Sequence, residues 1–76
     1  MSGGIPAIRP EALIRALAMA GFYVHHQTGS HAAMRHKEDS TKRVTIPRHN
    51  KVLKKGTLAN ILRQAGLTTE ELKGLL

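Results

Sequence analysis

Phe22-Tyr23-Val24-His25-His26-Gln27, then Thr28-Gly29-Ser30, then His31-Ala32-Ala33-Met34-Arg35-His36 is the run that decides the fold. The first six residues mix aromatic and β-branched side chains with alternation, the pattern of a strand. Gly-Ser between two such segments marks a hairpin turn. His31–His36 is then the returning strand, and the pair is antiparallel because the loop is short. Outward toward the C-terminus, Lys37–Lys42 is polar, with Asp39 and Ser40, and suits a second hairpin loop. Arg43–Ile46 alternates again and Pro47 ends it, giving a third strand.

Helical signals flank the sheet. Pro10 suits a helix start, Glu11 falls in its first turn, Leu13, Ile14, Leu17 and Ala18 lie on one face, and Gly21 stops it. Beyond a basic connector over Arg48–Lys55, Leu58, Ile61, Leu62 and Ala65 keep helical spacing, with Thr57 as N-cap and Gly66 as the stop. Thr68-Thr69-Glu70-Glu71 fits a capping box, and Leu67 with Leu72 fits the hydrophobic staple of a short last helix. The class is therefore α+β: helix, three-stranded antiparallel sheet, helix, short C-terminal helix. Three strands alone bury too little, so the helices must cover one face and leave the other open. Phe22, Val24, Met34, Val44 and Ile46 are expected to face the helices, which sends His31, Arg35, Arg43 and Thr45 outward.

At 76 residues there is room for one domain, expected over 10–76, with Met1–Arg9 as a Gly- and Pro-rich flexible leader. The chain has no Cys, which excludes a disulfide-stapled secreted scaffold. No apolar stretch approaches a membrane span and no signal peptide opens the chain, so the expectation is a soluble, cytoplasmic protein with no membrane partner. Charge is unevenly placed: 12 Lys+Arg stand against 5 Asp+Glu. Lys42, Arg43, Arg48, Lys51, Lys54, Lys55 and Arg63 fall in one stretch without an acid, while the rest of the chain is neutral. A basic excess so confined suits a polyanion surface, because each phosphate neutralised releases counterions. A solvated face that only maintains solubility is the plainer reading.

Five histidines invite a test for zinc, but the spacing of His25, His26, His31, His36 and His49 matches no structural site and no H-E-x-x-H is present. No metal or cofactor is expected. Neither a nucleophile elbow nor a P-loop occurs, and the acids sit at helix starts or in a turn. What remains is imidazole acid–base chemistry beside a basic patch. His31 directly follows the Gly29-Ser30 turn, and Arg35 lies four strand positions on, on the same face. A neutral imidazole there can take the proton of a ribose 2′-hydroxyl, which attacks its own phosphate, so RNA supplies the nucleophile. Nearby cations stabilise the charge that develops on phosphorus-bound oxygens. Composition and spacing alone favour the plainer alternative, a histidine finishing a turn on a solvated edge. Candidate phosphate contacts are Gly29, Ser30, Arg35, Lys42, Arg43, Arg48, His49, Lys54 and Lys55. Tyr23 could stack on a base, though one aromatic makes no platform.

Taken in order, Gly21-Phe22, Thr28-Gly29-Ser30-His31, Val44-Thr45-Ile46-Pro47-Arg48-His49, Lys54-Lys55-Gly56-Thr57-Leu58 and Ile61-Leu62-Arg63-Gln64-Ala65-Gly66-Leu67 resemble the HicA toxin family. The resemblance runs from about Pro10 to Leu76. It implies a fold similar to a double-stranded-RNA-binding domain and an activity as the messenger-RNA-cutting toxin of a toxin–antitoxin pair. It also implies that His31, in the G-S-H motif, is the active histidine, that no metal is needed, and that a HicB-type antitoxin covers the active surface. Ala32-Ala33-Met34 departs from the bulkier residues that commonly follow G-S-H in the family. Two other readings compete. One is a non-catalytic module holding double-stranded or structured RNA by shape and phosphate contacts. The other, weaker, treats the last two helices as a helix-turn-helix DNA reader.

Overall fold

The computed structural model describes residues 4–76. Helix α1 spans Pro10–Met19, strands β1, β2 and β3 span Phe22–Gln27, His31–His36 and Arg43–Pro47, and helices α2 and α3 span Lys55–Ala65 and Thr69–Leu75. This is the expected α+β order. The sheet is antiparallel with spatial order β1-β2-β3, so β2 is central.

Both main helices lie on one sheet face. The buried stripe of α1 is Pro10, Leu13, Ala16 and Leu17. Ala16 takes the place expected of Ala18, which is exposed, because the i, i+3, i+4 set begins at Leu13. From α2, Leu58, Ile61, Leu62 and Ala65 are buried. They meet Phe22, Met34, Val44 and Ile46 of the sheet in one core, which Leu72 of α3 completes.

Several expected boundaries shift for local reasons. The residue capping α1 at its C-terminus is Ala20, and Gly21 follows at φ +100°, turning the chain into β1. α2 begins earlier than expected: Lys54 rather than Thr57 is its N-cap, in extended conformation and without a side-chain cap bond. Leu58 N–H donates to Lys54 C=O (2.9 Å), so the first turn begins ahead of Thr57 and encloses it. Gly66 ends α2 in the left-handed conformation, as its position suggested. At α3 the capping box is complete: Thr68 Oγ1 accepts from Glu71 N–H (3.0 Å) and Glu71 Oε1 accepts from Thr68 N–H (2.8 Å). Pro47 is the last residue of β3 rather than the stop beyond it; it pairs opposite His31, at a strand end where a missing N–H costs no ladder bond.

Two expectations fail on the packing. Of the leader expected over 1–9, residues 1–3 lie outside the described residues and the later part is packed. Ile8 is buried in the core, and its C=O accepts from Leu53 N–H at 2.8 Å. Val24, expected inside, is 41% exposed. β1 is an edge strand on which the helices cover only Phe22. The register also shifts between Val24 and His26, where β1 carries one extra residue. Such a bulge twists an edge away from further pairing. Ala32, which barely chooses a side by type, is fully buried and fixes the phase of β2.

Candidate functional site

The β1–β2 turn is held by its own side chains. Thr28 Oγ1 accepts from the backbone N–H of Ser30 (3.3 Å) and of His31 (3.1 Å), while Thr28 N–H donates to His31 C=O (2.9 Å). Ser30 C=O accepts from Arg48 N–H at 2.7 Å, which ties the turn to the exit of β3. His31 therefore sits at a braced corner, exposed, as the first residue of the central strand. Its Nδ1 lies 2.9 Å from Ser30 Oγ. Nε2 has no hydrogen-bond partner among the described residues and faces solvent. The nitrogen engaged by Ser30 sets the role of the other: when Nδ1–H donates to Oγ, Nε2 carries the lone pair.

From His31 the open face runs along β2. Its side chains are His31, Ala33 and Arg35, opposite Pro47, Thr45 and Arg43 of β3. On the other side, Tyr23 lies opposite Arg35 in regular register, and the bulge brings His26 opposite Ala33. Ala33 and Thr45 thus form a low floor between His31 at one end and the Arg35–Arg43 pair roughly 13 Å along the strand. The small residues after the G-S-H motif keep that floor bare. Tyr23 is exposed beside Arg35, and its ring meets the His25 ring edge-on at 6.5 Å between centroids.

Behind the turn lies a cleft of about 480 Å³ lined by Arg9, Glu11, Gly29, Arg48, His49 and Asn50. Arg48 does not present a free cation there: its Nη2 and Nε donate to Glu11 Oε2 at 2.7 and 3.1 Å. With Arg48 29% and Glu11 56% exposed, the pair stabilises the fold by no more than about 1 kcal/mol. His49 Nδ1 accepts from Lys51 N–H (3.2 Å), which places the ring proton on Nε2 as a donor.

The sequence candidates therefore separate. Gly29, Ser30, His31, Arg48 and His49 gather at the hairpin end; Arg35 and Arg43 sit further along the same face. Lys42 does not join them. It precedes Arg43 at the other end of β3 and lies against α2, where a Cβ added at Gly66 would come 3.3 Å from its Cε. A cation there complements the C-terminal end of the helix. Lys54 and Lys55 open α2 and are exposed. In the β2–β3 loop, Thr41 donates to the Asp39 carboxylate through its hydroxyl and its N–H, and these bonds hold the Asp39 pKa below 3.8. Among the described residues, no three His, Cys, Asp or Glu side chains converge on a metal-sized site, and no helix is long and apolar enough to cross a membrane. Sequence reasoning missed Arg9, Glu11 and Asn50 as site residues. Glu11 and Arg48 are 37 positions apart, so no local pattern joins them.

Compared with known protein families, residues 11–67 match the one described as the HicA toxin of bacterial toxin–antitoxin systems. No curated protein matches the chain. The matched span runs from the first turn of α1 to the residue after the Gly66 stop, and so contains the whole sheet, the braced hairpin and every residue lining the cleft but Arg9. The chain belongs to the HicA toxin family, and that family implies an antitoxin partner.

Proposed function

We propose that this chain is an endoribonuclease toxin that cuts messenger RNA in the cytoplasm without a metal ion and so inhibits translation. The observation that carries the reading is His31, exposed at a braced corner of an open sheet face, with Nδ1 engaged by Ser30 and Nε2 unpartnered among the described residues. In the proposed reaction Nε2 takes the proton of a ribose 2′-hydroxyl. The 2′-oxygen then bonds to the adjacent phosphorus, and the bond from phosphorus to the 5′-oxygen breaks. The leaving oxygen takes a proton, and the cut strand ends in a 2′,3′-cyclic phosphate. Solvent supplies the proton of the leaving oxygen; His49, whose Nδ1 accepts from Lys51 N–H, donates through Nε2–H to a phosphate oxygen. Arg35 and Arg43 hold the strand's phosphates along the face. Ser30 is a positioning residue, fixing the ring through Nδ1. The same face, flat and basic, is where a HicB-type antitoxin would dock and block access.

The test is cleavage of a long single-stranded RNA in excess EDTA by wild type and by a folded His31→Ala variant. Wild type is expected to cut, and the variant to lose about 10²–10⁴ in rate, the range of general acid–base catalysis. Undiminished cleavage by the variant would remove His31 from the mechanism. RNA bound by both proteins but cut by neither would instead favour a binding module, for which the directly opposed Arg35–Arg43 pair on the open face already speaks.

A further inference from the structure

The cleft behind the turn has a chemistry that phosphate binding does not explain. Glu11 supplies a carboxylate, an acceptor-only group that repels phosphate. Both Arg48 bonds fall on Oε2, so the carboxylate is fixed in orientation while Oε1 takes no hydrogen bond among the described residues. Around it stand donors: Arg9, the Asn50 amide and His49, whose Nδ1 is already occupied by Lys51 N–H. At about 480 Å³ the cleft lies in the range of small-ligand sites. It borders the turn that carries His31: Gly29 lines it, and Arg48, which also lines it, donates its N–H to Ser30 C=O.

We infer that this cleft is a nucleobase subsite selective for guanine, taking the base next to the bond cut at His31. The proposal rests on the reading that RNA passes over His31. Among the four bases only guanine presents two adjacent donors, N1–H and N2–H, beside an acceptor, O6. The open Oε1 of the fixed carboxylate, with two lone pairs, accepts both donors, and an arginine or amide N–H serves O6. Cytosine and adenine offer one donor next to an unprotonated ring nitrogen that faces the carboxylate unfavourably. Uracil offers one donor between two carbonyls. The Glu11–Arg48 pair is thus a recognition device: Arg48 holds the reading group in place.

The experiment titrates the four nucleoside 5′-monophosphates into the isotope-labelled chain and follows the backbone amides of Glu11, Gly29 and Asn50. Guanosine monophosphate is expected to bind about tenfold more tightly than the other three, the discrimination of one good two-bond base contact. Glu11→Gln, which keeps the size of the side chain, is expected to abolish the preference and leave weak binding to all four. Equal affinity of the four for the wild-type chain overturns the inference and leaves a phosphate contact only. Mapping the cut ends of a mixed-sequence RNA separates this from the ribonuclease reading. Guanine preference without cleavage keeps the subsite and defeats the ribonuclease; cleavage with no guanine preference in either assay does the reverse.

Discussion

Gly21→Ala tests the corner on which the hairpin is hung. Gly21 has φ +100°, and an added Cβ would lie 2.7 Å from His36 Nε2. The imidazole has nowhere to go: Nε2 donates to Ala20 C=O (3.1 Å), Nδ1 accepts from Glu38 N–H (3.1 Å), and the ring meets Phe22 edge-on at 5.0 Å. The left-handed backbone costs an alanine about 1–2 kcal/mol. Displacing His36 loses a hydrogen bond of about 1 kcal/mol. Lower entropy of the unfolded chain offsets about 0.4–1 kcal/mol of this. The net loss is about 2 kcal/mol, a large share of the roughly 3–5 kcal/mol a core of this size supplies. In urea melts followed by circular dichroism, with a slope of about 1 kcal/mol/M for so small a domain, the midpoint should fall by about 2 M. Repeating the substitution in a His36→Ala background separates the two causes, because the clash is gone and only the backbone term remains. A Gly21→Ala protein melting within about 0.5 kcal/mol of wild type would refute the reasoning. An equal cost in both backgrounds would refute the part assigned to His36.

Arg43 and Arg48 should behave differently toward RNA. Arg43 is exposed with no acid paired to it among the described residues, so Arg43→Ala should flatten the salt dependence of RNA binding by about one phosphate contact. Arg48 is already held by Glu11, so Arg48→Ala should change that slope much less; equal changes would show that the ion pair opens on binding. Asp39, with its folded pKa held below 3.8 by Thr41, binds a proton less readily folded than unfolded. Its contribution to stability is therefore complete above pH 3.8 and is lost as pH falls through the lowered folded value. A carboxyl-carbon titration should place the Asp39 midpoint below 3.8 in wild type and nearer 3.8 in Thr41→Val. A wild-type midpoint at or above 3.8 contradicts the hydrogen-bond account.

What was legible in the sequence was what short spacing encodes. β1 and β2 fall where alternation and the Gly-Ser turn put them, and α3 is capped by Thr68 because the capping box is written in four consecutive residues. The start of α2 was misread because its cap uses no side chain, and the best cap residue nearby, Thr57, lies inside the helix. Val24 was misplaced because alternation says which face a residue takes but not how far the covering helix reaches. The bulge at His25 was invisible for a related reason: it is a relation between two strands. His31 could be singled out as a candidate because the G-S-H motif is contiguous. Arg9, Glu11 and Asn50 of the cleft could not, because the fold brings them together from the start of α1 and the loop after β3.

One pair breaks a rule of sheet stability with no benefit to the fold. Arg35 and Arg43 face each other directly across β2 and β3 on the open side, and like charges so placed destabilise a sheet by some tenths of a kcal/mol. The core is thin, and the same chain spends a threonine hydroxyl and a serine carbonyl on bracing the β1–β2 turn at the far end of that face, and a glycine on the corner before β1. Elsewhere its local choices agree with the fold: a complete capping box, a left-handed Gly66 and a cation against the end of α2. Disagreement confined to one face marks where selection acts on something other than stability. Two guanidinium groups with no acid paired to them among the described residues, a bare Ala33–Thr45 floor and a fixed imidazole are poor sheet design but a coherent surface for a polyanion. The charges that destabilise the free protein are those a bound phosphate backbone would satisfy.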